Sequence, residues 1–266
     1  MAQFTVDGVA FDRIHKAVAL NSAGEVLYVL TQLQEATIEI TSESRDMVDK
    51  DGTLIKRIYT GKSGTFSATN AFLDANIIAQ GSGTEKQVAT DTNKIKTPFV
   101  RDVKRKDNVG SITIEGLDAD SVHVVGESAS GSMVVEYTKG TIASDTEFVA
   151  TGNRIQLPTA TDVAKFVIIG EREMSSGAAV VNMSDKFPGT VTLIIQAFTI
   201  DPCTPDIRRA TYIRIPSFQT SPDHTITLST EATLDYSGDM QTSYCDENGD
   251  KILYEMFFPG DDTVEE

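Results

Sequence analysis

Residues 35–43, E-A-T-I-E-I-T-S-E, alternate between polar and apolar positions. Successive side chains of an extended strand point to opposite faces. Ala36, Ile38 and Ile40 therefore share one face, and Glu35, Thr37, Glu39, Thr41 and Glu43 share the other. The pattern predicts a strand with one face in a core and one face in water. Just before it, V-L-Y-V-L at 26–30 is a continuous apolar run of the length of a buried strand. Just after it, 47–53 contains D-K-D-G, a turn signal, and 53–59 runs back as a second strand. The region reads as a hairpin.

The period changes at 65–80, T-F-S-A-T-N-A-F-L-D-A-N-I-I-A-Q. Ala68, Phe72, Ala75, Ile78 and Ala79 recur at helical spacing. Thr65 or Ser67 can cap the start, and Gly81-Ser82-Gly83 can stop the end. One helix is predicted here, over about 66–80. From 84 to 108 the chain is polar and rich in Lys and Thr, which reads as a long loop with a strand only near Pro98 to Val103. From 110 to 169 short strands alternate with turns: S-I-T-I-E, S-V-H-V-V, S-M-V-V-E-Y, N-R-I-Q-L and K-F-V-I-I. Such regular spacing is typical of a sandwich or barrel. Strands at 180–182, 190–200 and 211–215 continue the series. Residues 225–229 alternate again, with Thr225, Thr227 and Ser229 on one face, and Asn248-Gly249 signals a hairpin into a last strand at 251–258. Residues 261–266, D-D-T-V-E-E, read as a disordered acidic tail. No internal repeat and no Pro/Gly/Ser-rich linker is visible, so the expectation is a single domain over 1–266 with a β-rich insertion at about 95–175.

Composition narrows the function. The chain has 266 residues, 23 Lys and Arg against 39 Asp and Glu, and a net charge of -16. That balance argues against a grip on nucleic acid, which needs clustered cations at the phosphates. It suits a surface that DNA slides past, because like charges repel. The one basic cluster, Lys104-Arg105-Lys106, has Asp102 and Asp107 as close neighbours and reads as a loop. Cys203 and Cys245 are too few for a disulfide framework and read as free thiols or one bridge. The longest apolar runs, 166–169 and 191–195, are too short to span a bilayer. The opening M-A-Q-F-T-V-D-G lacks the basic start and apolar stretch of a signal peptide.

Familiar chemical motifs fail on their spacing. Gly61-Lys62-Ser63 resembles the end of a phosphate loop, but Lys56 stands where the first glycine belongs. Gly81-Ser82-Gly83 lacks the third glycine of a dinucleotide loop. Gly126-Glu127-Ser128-Ala129-Ser130 lacks the last glycine of a nucleophile elbow. Asp246, Asn248 and Asp250 have calcium-loop spacing, yet Gly249 comes too early, and Asp49, Asp51 and Gly52 read as a turn in the same way. His15, His123 and His224 are scattered and have no zinc-ligand company. No catalytic residue, cofactor or metal is expected.

The order of elements carries a resemblance. The early hairpin leads through G-K-S-G-T-F (61–66) into the predicted helix. Then come S-D-K-F-P-G-T-V-T-L-I-I-Q-A-F-T-I-D-P-C (184–203), Y-I-R-I-P (212–216) and the strand at 251–258. Over about 24–80 and 180–258 this resembles the tail tube proteins of long-tailed bacteriophages. The resemblance implies a mainly β fold, a tail-tube-like β-sandwich or barrel with one flanking helix and long loops. It implies hexameric rings stacked head to tail into a conduit for DNA ejection, assembled in the host cytoplasm into the virion tail. Implied partners are further copies of the chain, a tape measure protein, a tail sheath or a terminator, with DNA passing unbound and no membrane. Candidate lumen-facing residues are Glu35, Thr37, Glu39, Thr41, Thr225, Thr227 and Ser229. Candidate inter-ring loop residues are Glu85, Lys86, Lys94 and Lys96. The alternative is an immunoglobulin-like surface module that binds a glycan or protein.

Overall fold

The computed structural model describes residues 8–72, 74–104, 110–128, 130–201, 204–226, 233–242, 251–260 and 263–264. The chain divides into two compact units, one of Met1–Lys86 with Val180–Glu266 and one of Gln87–Ala179. The first unit opens with strands β1 (Ala10–Leu20), β2 (Val26–Leu30), β3 (Leu33–Val48) and β4 (Leu54–Asn70) and helix α1 (Ala75–Gly81). The second holds β5 (Gln87–Ala89), β6 (Ile95–Lys104), β7 (Ser111–Thr113), β8 (His123–Glu127), β9 (Met133–Lys139), β10 (Glu147–Thr151), β11 (Arg154–Gln156), β12 (Lys165–Met174) and β13 (Gly177–Ala179). The chain returns to the first unit with β14 (Thr190–Asp201), β15 (Thr204–Thr220), β16 (Leu234–Met240), β17 (Glu255–Phe257) and β18 (Thr263–Val264).

In the first unit the strand order is β2-β1-β14-β15-β16-β4-β3, with β17 and β18 paired to β15. Its pairings are antiparallel. The core follows from period two: Ala17 and Ala19, Leu193 and Ile195, Ile213 and Ile215, Phe66 and Ala68, and Leu234 and Tyr236 all turn inward. Phe66, Phe218 and Tyr236 form a cluster of edge-on and tilted rings with centroids 5.7–6.2 Å apart. The Tyr28 and Tyr236 hydroxyls meet at 2.8 Å inside this core. Burial pushes both phenol pKa values up, so the pair stays neutral.

The phase of β3 depends on a bulge. Gln34 pairs with Thr69 and Thr37 with Ser67, so Glu35 and Ala36 share the one partner position between them. Glu35 takes the left-handed conformation, with φ of 44°. The extra residue exchanges the two faces of the strand. Leu33 is buried before it, and Ala36 and Ile38 pack on the same core after it. Without the bulge Thr37 and Glu39 would turn inward.

The helix differs from expectation. Residues 65–70 finish β4, and among the described residues only Ala75–Gly81 is helical. Phe66, Ala68 and Asn70 are buried while Thr65 and Ser67 are exposed, so the period of two prevails over the helical spacing. Phe72, expected on the apolar helix face, is 64% exposed. Asp74 is the cap, accepting from the Asn76 amide at 2.7 Å. The glycine stop holds: at Gly83, φ is 63° and a Cβ would meet the Phe187 carbonyl oxygen at 2.3 Å.

The second unit is a seven-stranded sheet, order β6-β12-β8-β9-β10-β11-β7, with a two-stranded β13-β5 ribbon. It buries a core of its own around Val124, Phe148, Ile155 and Ile168. Within the stretch 84–108 the strand expected near Pro98 to Val103 is present and longer: it is β6, whose ten residues pair with β12. Ile95, Thr97, Phe99 and Val103 are half-buried and the residues between them exposed, a period of two hidden under Lys and Thr. Pro98 and Lys96 suit β6 to the sheet edge, because they block pairing with another chain. Residues 180–182 form no strand, and the last expected strand is reduced to Glu255–Phe257. Of the tail 261–266, Thr263 and Val264 pair with Arg209 and Arg208, and the other four residues lie outside the described ones. Cys203, Cys245 and the Asn248-Gly249 turn also lie outside them.

Candidate functional site

Three strands of the first unit combine into one polar face. Glu39, Thr65 and Asp239 form one cross-strand row of β3, β4 and β16, and Thr37, Ser67 and Ser237 form the next. Thr69 with Asp235 and Thr41 with Ser63 extend it, the latter pair sharing a hydroxyl hydrogen bond of 2.7 Å. Glu43 continues the series opposite Gly61. These side chains are exposed or half-buried, and none of these rows holds a lysine or arginine. The face thus offers hydroxyls and carboxylates to water, and no cation to an anion. The opposite side of the same strands is the aromatic core, which fixes the direction of every residue in the rows.

The sequence candidates distribute unevenly over this geometry. Thr37, Glu39 and Thr41 lie together in the polar face. Glu35 does not join them: at the bulge it lines an apolar pocket with Ala36 and Ile38. Thr225 is exposed beside Ile226, which bridges to Leu234, whereas Thr227 and Ser229 lie outside the described residues. Glu85 and Lys86 are exposed at the end of the first unit. Lys94 and Lys96 belong to the second unit, 3.9 Å from Glu173 and 3.3 Å from Asp118 respectively. The three histidines have separate surroundings: His15 stacks on Phe198, His123 faces Glu136, and His224 meets its own neighbour's carbonyl at Pro222. Among the described residues no group of three His, Cys, Asp or Glu side chains could hold a metal ion, and no helix is long and apolar enough to cross a membrane.

Two further features stand beside the face. The outer half of the β3–β4 hairpin, from Glu43 and Gly61 to the tip, is a two-stranded ribbon with almost every residue exposed. Asp46 and Arg57 hold it across the strands with a two-bonded pair at 2.7 and 3.0 Å, which keeps the Asp46 carboxyl below its usual pKa. The turn is closed by Asp49, whose carboxylate accepts from the amides of Asp51 and Thr53. Met47, Val48, Leu54, Ile55 and Tyr59 are 45–68% exposed on this ribbon. The second feature is the pocket at Glu35, a cavity of about 400 Å³ whose wall includes Ile14, Ala36, Ile38, Ile195, Ile213 and Met256.

A model of the YomU/Tube protein family matches residues 14–252. The chain belongs to this family. The resemblance to phage tail tube proteins therefore stands, and the surface-module alternative falls away. As a tube protein the chain is a structural component of a phage tail. No curated protein matches it. The match runs through both units, so the second unit is part of the family pattern.

For a tube protein, sequence reasoning missed the β4 and β16 parts of the polar face. The helix expected over about 66–80 takes in Ser67 and Thr69 and makes Thr65 a possible cap, and the expected strands do not include β16. The signal in β16 was present: Leu234, Tyr236 and Met240 alternate with Asp235, Ser237 and Asp239.

Proposed function

We propose that this tube protein assembles as hexameric rings stacked head to tail, with the β3–β4–β16 face turned to the lumen and DNA ejected along it. The observation that carries the reading is the composition of that face. A conduit wall must stay wetted and must not condense DNA. Hydroxyls keep it wetted, and carboxylates repel phosphates without offering cations to replace DNA counterions. The sheet edges support assembly: β2 and β3 end the strand order, and β2, V-L-Y-V-L, carries neither proline nor charge to block pairing. Lateral pairing of such edges closes a ring. Exposed Glu85 and Lys86 are assigned to contacts between rings. Assembly takes place in the host cytoplasm with a tape measure protein, a sheath or a terminator as further partners.

Negative-stain microscopy of the purified protein tests the reading. Rings and open-ended tubes with a central channel are expected, appearing at high concentration or on addition of a tail initiator complex. A strictly monomeric sedimentation profile under both conditions would contradict it.

A further inference from the structure

Glu35 is the one non-glycine residue with a positive φ among the described residues. A left-handed conformation is unfavourable for a residue with a Cβ, and glycine adopts it without that penalty. The strained position therefore holds a carboxylate where the fold alone asks only for flexibility, a pattern that clusters at functional sites. Glu35 is exposed and lines the apolar pocket together with Asp12 and Arg13. Those neighbours are engaged: Asp12 pairs with Arg208 at 3.2 Å, and the Arg13 guanidinium sits over the Phe198 ring at 5.5 Å. No hydrogen bond or ion pair among the described residues holds the Glu35 side chain.

The hairpin ribbon has the complementary chemistry. Ile55 and Met47 are exposed on it, and Arg45 and Lys56 stand beside them without side-chain partners among the described residues. The tip cannot fill the pocket of its own chain. Glu35 and Val48 lie on one continuous strand, and thirteen steps of extended chain separate them by about 40 Å. A knob and a hole on one chain that cannot meet within it can join copies only head to tail, a contact that repeats from copy to copy.

We propose that the tip of the β3–β4 hairpin of one copy seats its apolar side chains in the Glu35 pocket of a second copy, with Arg45 and Lys56 meeting the Glu35 carboxylate at the rim. The inference rests on the proposed head-to-tail stacking and names the surfaces that perform it. Exposed apolar ribbon residues are then covered, the pocket is filled, and one free carboxylate meets two free cations.

Site-directed cross-linking tests it in the full chain, with Cys203 and Cys245 replaced by serine. Copies carrying only Ile55→Cys are mixed with copies carrying only Met256→Cys, assembled, and oxidised. Met256 lines the pocket and is 38% exposed, and Ile55 is 64% exposed, so both positions tolerate the change. Val48→Cys with Met256→Cys is the second pair. Disulfide-linked dimers are expected from the mixtures, and ladders of linked oligomers from chains carrying both cysteines. Glu35→Lys is expected to raise the concentration needed for polymerisation, and adding Lys56→Glu to bring it back. Polymers that form normally but give no cross-link with either pair would overturn the docking while leaving the stacking intact. A link confined to single chains, or a pocket filled by residues 1–7 of the same chain, would overturn it too. A parent protein that never polymerises would overturn both.

Discussion

Phe66→Ala is expected to shift the unfolding transition of the first unit far down while the second unit keeps its own. Phe66 is 1% exposed and touches both Phe218 and Tyr236 in the ring cluster that joins β4, β15 and β16. Truncating a buried phenylalanine costs about 3–5 kcal/mol, from lost burial and the cavity left behind. A domain is stable by only about 5–15 kcal/mol, so the loss reaches a large part of the total. Phe66 and the polar rows stand on opposite sides of the same strand, so the variant should also lose assembly. The second unit has a separate core around Phe148 and Ile168, which the substitution does not touch. Calorimetry should show one transition shifted far down and one unchanged. A single cooperative transition shifted as a whole would show that the two cores do not melt separately.

The second large effect is functional. Glu39→Lys with Asp239→Lys, placed in the same row on either side of Thr65, is expected to leave folding and assembly intact and to block DNA ejection. Both side chains are exposed, and exposed substitutions away from special contacts shift stability by at most about 0.5 kcal/mol. Their consequence on the proposed wall is large, because the repeat of subunits multiplies it. Each ring would present lysines to passing phosphates, and released counterions would hold the DNA in place. Ejection should therefore fail at low salt and recover as salt rises, since added salt weakens such binding. Unchanged ejection at low salt from assembled particles would count against a lumenal position for this face.

The long alternating strands were readable from the chain because each carries its own signal of burial. Ala36, Ile38 and Ile40 announced the inner side of β3, and the turn at Asp49–Gly52 announced its partner. The stretch 66–79 was ambiguous for a physical reason. Phe66, Ala68 and Asn70 suit a strand, and Ala68, Phe72 and Ala75 suit a helix, so neighbouring strands decide the outcome. Pairing with β3 on one side and β16 on the other makes residues 65–70 extended. The bulge at Glu35 was not legible, because no glycine marks it. Its effect is to send Glu35 to the pocket and leave Thr37, Glu39 and Thr41 in the polar rows. The acidic face was only half visible, since Asp235 and Asp239 come from a strand far along the chain and join Glu39 only after folding. The polar run at 84–108 revealed only the 98–103 part of β6, because Lys96 and Thr97 mask the start of a strand that begins at Ile95.

A three-dimensional reconstruction of the assembled polymer, at a resolution that separates strands, tests the central claim most directly. The account predicts a hollow tube whose inner wall is built from β3, β4 and β16, with Thr37, Glu39, Ser67 and Asp239 pointing into the channel. A tube with these four side chains on its exterior, or buried between subunits away from the channel, would contradict it.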